Sequence, residues 1–306
     1  VVGLILSVAL FDTFYVFWHY RSHLIWGWKN PYNTSGLFGT FINSNHLATF
    51  LSMAILLGYG LFLGLKPTSV ANPSNLSGLA RLKKWSIPEY AEPELRRLLL
   101  LFLLLPLVVG LISTGSRGGM LSLFAGFLLI ALFIMGKSWK KNHIYIIIFF
   151  LLTALLFSIF LGSSLALNRI LYNYDNYGRY QVYKGALALF REFSFTGSGI
   201  ATFGDLFYHY QPATLKDYHY LYTHSDWLQL LVETGTGGFA LVVAAGLVFF
   251  VKLAKQWGRR RDTFARGLGL GGLAALGAGA VHALVDFPFH IPAIALLFAG
   301  IAALTY

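Results

Sequence analysis

Long apolar runs recur along this chain, each closed by a short polar stretch, and that pattern constrains the fold more than any other feature. A helix crossing a bilayer needs about 20 mostly apolar residues. Eight stretches meet or approach that length: 1–19, 46–65, 98–113, 118–136, 144–167, 227–251, 267–285 and 291–306. Charged residues are only 11% of the chain, against about 25% in a soluble domain. The expected fold is an all-α polytopic membrane protein, a single transmembrane unit over 1–306. Soluble enzymes, disordered chains and ordinary nucleic-acid binders are excluded. Cysteine is absent, so disulfides, thiolate metal sites and a Cys nucleophile are excluded too. The chain opens Val1-Val2-Gly3 without a Met, from which further helices upstream are expected.

Lys and Arg set the orientation. The connections 66–97, 137–143 and 252–266 hold fifteen of the 23 basic residues and only Glu89, Glu92, Glu94 and Asp262 as acids. They carry the whole formal excess of +11 and are expected to be cytoplasmic. The basic pI is therefore a topological signal and does not point to nucleic acid. The connections 20–45, 114–117, 168–226 and 286–290 fall on the other face. The largest, 168–226, is too long for a plain connection, and such loops usually carry function. Val182, Ala186, Leu189 and Phe190 stand at helical spacing within Tyr180–Phe193, which predicts an amphipathic helix along the membrane face. The stretch 66–97 reads as irregular. Gly267 to Gly271 reads as tight helix packing.

Polar groups placed where burial is costly mark candidate chemistry. Arg117 sits in Ser113-Thr-Gly-Ser-Arg-Gly-Gly119 between two apolar runs, beside the N-terminus of the next helix, a place suited to an anion. The alternative is a plain hairpin with a snorkelling Arg. His224 and Asp226 end the large loop just before an apolar helix. Asp226 can cap that helix, and His224 can act as a base or be a structural His. Arg179 and Lys184 open the loop helix as a guanidinium and a point charge for phosphate, among tyrosines that fit an interfacial belt or a sugar-stacking surface. Asn43, Asn45 and His46 stand at another helix entrance, as ligand contacts or caps. His282 and Asp286, four apart, read as a proton pair or a mutual hydrogen bond. His209, His219 and His224 share a loop without metal-ligand spacing, so no metal is expected.

The order of these motifs resembles the O-antigen ligase and O-antigen polymerase superfamily of bacterial envelope glycosyltransferases, over about residues 36–306. The carriers are the Ser-Arg-Gly-Gly hairpin, Gly178-Arg179-Tyr-Gln-Val-Tyr-Lys-Gly, Gly197-Ser-Gly199, His224-Ser-Asp-Trp-Leu-Gln-Leu-Leu-Val-Glu-Thr-Gly and Val285-Asp286-Phe-Pro288. The resemblance implies a GT-C-like helical bundle with a large periplasmic loop. It implies a metal-independent, inverting transfer of a glycan from undecaprenyl pyrophosphate, without cofactor, at the periplasmic face of the bacterial inner membrane. The acceptor would be the sugar of a lipid in a ligase; a polymerase or a protein O-oligosaccharyltransferase of the same superfamily is the alternative. Carried over by motif, Arg117 and Arg179 bind the donor pyrophosphate and His224 is the general base. Lys184, Asp226, Asn45, His46 and Asp286 are supporting candidates. Where the family often has Asn after the His, this chain has Ser225. Rival classes are a solute transporter and a non-catalytic export subunit. The polar residues gather toward one face rather than at the midplane, which disfavours transport.

Overall fold

The computed structural model describes residues 1–19, 24–29, 37–65, 88–135, 174–216 and 219–306, and the description below concerns these. The run expected at 144–167 and the basic residues of 66–84 and 137–141 lie outside them. The described helices are α1 (Val2–Trp18), α2 (Ser44–Gly64), α3 (Pro88–Ser113), α4 (Arg117–Met135), α5 (Tyr174–Glu192), α6 (Phe203–Tyr210), α7 (Asp226–Arg259), α8 (Thr263–His282) and α9 (Pro292–Thr305). Five spans are long and apolar enough to cross a membrane: α2, Leu95–Ser113 of α3, Arg117–Ile134 of α4, α7 and α8; α1 and α9 are apolar but shorter. The chain is an all-α polytopic membrane protein. Part of the stretch expected to be irregular, from Pro88, is helix; a Pro at the first helical position loses no hydrogen bond there.

A two-residue hairpin interrupts the helices, pairing Leu24–Ile25 with Trp28–Lys29. Its turn puts both Trp26 and Gly27 at positive φ, the geometry of a tight two-residue turn. Trp26 stacks on Phe11 of α1 at 5.7 Å, which fastens a turn that alternation alone would not reveal.

Helix α2 is buried nearly all round and forms the central post. Small residues set how closely its neighbours approach. A Cβ on Gly58 would meet Leu104 of α3, and one on Gly126 of α4 would meet Leu56. The tightest contact is with α8, where Gly60 and Gly64 face Gly271 and Gly267 backbone to backbone. The expected packing role of Gly267–Gly271 thus has a partner in α2. Helix α2 runs antiparallel to α3 and α8 and parallel to α4, so the starts of α2, α4 and α7 and the ends of α3 and α8 share one end of the bundle. At the opposite end lie Arg96, Arg97, Lys252, Lys255, Arg259, Arg260, Arg261 and Arg266. There Arg260 donates to the carbonyls of Ala265 and Thr305, tying α9 to the α7–α8 turn.

The segment read as the large loop forms a lobe with its own apolar cluster. Val182, Ala186 and Leu189 of α5 pack on Phe203 and Phe207 of α6, on Leu215 and on Val232 of α7. The apolar stripe of α5 is therefore turned onto α6 and α7 rather than onto lipid. Helix α7 is broken at Gly235 (φ 65°). The turn 194–199 is strapped across the break: Ser198 and Gly199 N–H donate to the carbonyls of Val232 and Glu233, and Thr236 N–H donates to Ser194. The glycine is required, because a Cβ on Gly235 would lie 2.2 Å from the Phe195 carbonyl oxygen.

Candidate functional site

Three helix entrances and the α8–α9 turn meet at the end of the bundle covered by the lobe. The α2 entrance is built from a carboxylate in an apolar helix. Asp12 of α1 accepts hydrogen bonds from Thr40 N–H (3.0 Å) and its hydroxyl (2.7 Å), docking the turn before α2. Asn43 then caps α2, accepting from Asn45 N–H at 2.9 Å. The cap directs His46, a buried side chain, toward Asp286, whose carboxylate stands 3.9 Å from Nε2. One turn on, Thr49 Oγ1 lies 2.7 Å from His282 Nδ1 and 3.0 Å from the Asn45 carbonyl. A hydroxyl has one hydrogen, so if Thr49 donates it to that carbonyl, His282 Nδ1 must carry a proton and Nε2 is left as an acceptor.

The expected His282–Asp286 side-chain pair is not formed. Only their backbones bond, Asp286 N–H to the His282 carbonyl, because the helix ends there and the two side chains find Thr49 and His46 instead. His46 Nε2, His282 Nε2 and both Asp286 oxygens are buried without a full hydrogen bond among the described residues. Such a concentration of buried, unsatisfied polar atoms is costly. Burial pushes the Asp286 carboxyl up to about 7. The charge of Arg179, the Phe287 N–H and the Asn45 side chain oppose that shift, and Asp226 adds to it.

The Arg117 hairpin enters from α4. Gly115 turns at φ 66°. Thr114 Oγ1 accepts from Ser116 N–H, and Ser116 Oγ caps α4 by accepting from Gly119 N–H, each at 3.1 Å. Arg117 is thereby the first residue of the helix. It is exposed, with no hydrogen bond or ion pair from its guanidinium among the described residues. The next residue seats the hairpin: a Cβ on Gly118 would lie 2.8 Å from His282 Nε2 and 2.9 Å from a Val285 methyl.

Arg179 enters from α5 and reaches the same residue, donating through Nη1 to the Val285 carbonyl at 2.9 Å. Tyr183, one turn on, donates to the His224 carbonyl at 3.1 Å; burial raises its phenol, and the nearby Arg179 opposes the shift. Lys184 is exposed on another face of α5, and the structure does not bring it to the cluster.

His224 adopts φ 60°, an uncommon conformation for a residue with a side chain. It is held on both sides. Tyr183 binds its carbonyl, and Ser225 beside it is tied to Thr223 Oγ1 (3.1 Å) while accepting from Leu228 N–H (3.2 Å). Ser225, not Asp226, is thus the cap of α7, since Asp226 is already the first helical residue. Asp226 instead fastens the following turn, accepting from Phe289 N–H at 2.8 Å and pairing with His290 Nδ1 at 2.5 Å. That clamp presents Phe287, whose ring touches those of Tyr222 (4.6 Å), His46 (4.9 Å) and His224 (5.3 Å). His209 and His219 are exposed elsewhere on the lobe.

Phe287 and Asp12 are the contributors that motif reading passed over, while Tyr183, one of the tyrosines expected in an interfacial belt or a sugar-stacking surface, instead holds the His224 carbonyl. Asp12 had a readable signal, a lone carboxylate in an apolar run. Phe287 had none, because an aromatic near a helix end is ordinary. Among curated proteins none matches this chain. Residues 99–243, from within α3 to within α7 and including Arg117, Arg179 and His224, match the family model described as O-antigen ligase, and that match supports the place of this chain in the O-antigen ligase superfamily.

Proposed function

We propose that this protein transfers a glycan from undecaprenyl pyrophosphate to an acceptor hydroxyl at the periplasmic face, with inversion and without a metal. The observation that supports the proposal is that the α4 entrance headed by Arg117 packs on Val285 through the neighbouring Gly118, while Arg179 donates to the carbonyl of that same Val285, the residue before buried Asp286. A pyrophosphate there would find two guanidiniums and the open N–H groups that head α4. Fixed cations of this kind stabilise a leaving pyrophosphate as charge develops on it, so protonation of the leaving group is not required. The acceptor oxygen bonds to the anomeric carbon as the bond to the pyrophosphate oxygen breaks and its electron pair leaves with the phosphate. The hydroxyl proton passes to the imidazole of His224. The strained backbone of His224, held between Tyr183 and the α7 cap, supports a positioned base, since strain persists only where its surroundings fix it.

Asn45, His46 and Asp286 line the cluster and support it, and Asp226 fixes the Phe287 turn. The same arrangement serves an acceptor on lipid, on a second lipid-linked repeat or on protein. The deciding experiment is transfer in vitro by purified protein from a lipid-pyrophosphate glycan to each acceptor class. His224→Ala is expected to slow transfer by about 10²–10⁴ while donor binding persists. EDTA is expected to leave the rate unchanged. Near-wild-type transfer by His224→Ala removes this residue from the mechanism, and inhibition by EDTA relieved by added metal replaces the metal-free reading.

A further inference from the structure

We infer that the turn 194–201 is a membrane anchor. The side chains of Phe195 and Ile200 enter the lipid leaflet on the site side and hold the lobe at a fixed height over the bilayer.

These two side chains are 77% and 81% exposed, among the most open large apolar groups of the molecule. Single exposed apolar residues are ordinary. This pair is distinguished by its mounting. Its backbone is committed: Gly197 N–H donates to Phe193, Ser198 and Gly199 N–H donate to α7, and Ala201 N–H donates to Glu233 Oε2 at 3.0 Å. The turn therefore cannot fold its apolar side chains back onto the lobe. All eight residues from Ser194 to Ala201 are uncharged.

Depth follows from α7. The first basic residue after the break is Lys252, and no charged residue lies between Gly235 and it. The seventeen residue steps from Gly235 to Lys252 span about 26 Å at ~1.5 Å per residue. The hydrocarbon core is about 30 Å thick. With Lys252 at one edge, Gly235 stands within a few ångströms of the other. The backbone of Phe195 touches Gly235, so the apolar side chains of the turn emerge at the boundary between headgroups and acyl chains. Below the break α7 continues the same open surface, with Leu241 74% and Leu247 61% exposed. The surface of the turn is thus continuous with a lipid-facing helix, and its partner is the acyl and headgroup boundary of that leaflet. This inference does not depend on the transfer reaction or on which compartment the lobe faces.

The absence of cysteine makes the test direct. Phe195→Cys and Ile200→Cys each supply a sole thiol for a nitroxide label, with Leu247→Cys and Arg259→Cys as references. The full chain is reconstituted in phosphatidylcholine–phosphatidylglycerol vesicles. Collision of each label with oxygen and with a water-soluble nickel chelate is read by power saturation. Labels at 195 and 200 are expected to favour oxygen, with a depth parameter of the same sign as at 247 and opposite to that at 259. A label at either position as open to the chelate as that at 259 overturns the anchor. So does a label closed to both reagents, which would place that side chain against protein.

Discussion

Replacing Gly60 with Ala tests the α2–α8 contact on which the bundle is built. The added methyl would lie 2.4 Å from the Gly271 Cα and 2.7 Å from both the Gly267 carbonyl oxygen and the Gly271 nitrogen. All three atoms are backbone, so no side chain can rotate aside. Carbon atoms rest at about 3.5–4.0 Å, and the two helices must therefore part by roughly 1.2 Å. A gap of that size forfeits about half or more of each neighbouring contact along the seam. Overpacking costs about 1–3 kcal/mol, and rigid walls on both sides place this case near 3. Ala returns about 1 kcal/mol of helix propensity. The net loss is about 2 kcal/mol, more than tenfold in the folded-to-unfolded ratio. Gly246→Ala on α7 is the control, since a Cβ there has nothing within 4 Å and only the propensity gain remains. Melting followed by circular dichroism in one detergent should rank Gly246→Ala above wild type and Gly60→Ala well below it. A Gly60→Ala protein that melts with wild type or above would refute the backbone-to-backbone contact.

Arg117→Lys should keep the wild-type melting temperature yet lose about tenfold or more in transfer, because the bidentate fork is gone and the Arg117 guanidinium makes no hydrogen bond or ion pair among the described residues; unchanged transfer would remove it from donor binding. Asp286 has a folded pKa of about 7, above the ordinary 3.8, so the stability it contributes is full below about 3.8 and lost as pH rises toward 7. Asp286→Asn should accordingly gain on wild type in melting temperature between pH 5 and pH 8, and a constant difference across that range would contradict the burial argument. Reporter fusions in 168–226 should read as periplasmic and those in 252–266 as cytoplasmic; the opposite pattern would invert the orientation.

Periodicity and charge made most of the spans legible, since lipid requires continuous apolar helices whose ends are polar. The ends were less legible where a local group shifted them by a residue or more. Capped by Asn43, α2 starts at Ser44, two residues before the apolar run does, and Ser225 rather than Asp226 caps α7. In the site, Arg117, Arg179 and His224 stood out because charge or imidazole at a helix end is costly. Lys184 stood out for the same reason, but it is five residues past Arg179 and helical rotation turns it away. The His46–Asp286 approach joins residues far apart in sequence, and neither carries its partner's position in its own surroundings. The lobe was the least legible part. Its stripe of Val182, Ala186 and Leu189 is equally suited to lipid or to a small core, and only the arrival of Phe203 and Phe207 decides between them.

The seam between α2 and α8 also has a consequence for biogenesis. Gly60 and Gly271 are 211 positions apart, and Thr49 meets His282 across 233. At about 5–20 residues per second, α2 waits on the order of ten to forty seconds after synthesis before its closest partner exists. During that interval the glycine face of α2, with Thr49 and His46 above it, is presented to lipid or to the insertion machinery. The most buried helix of the finished protein therefore keeps its tightest-packing face open long after α3 and α4 have joined it, and a cell making this protein must shelter that face until α8 arrives.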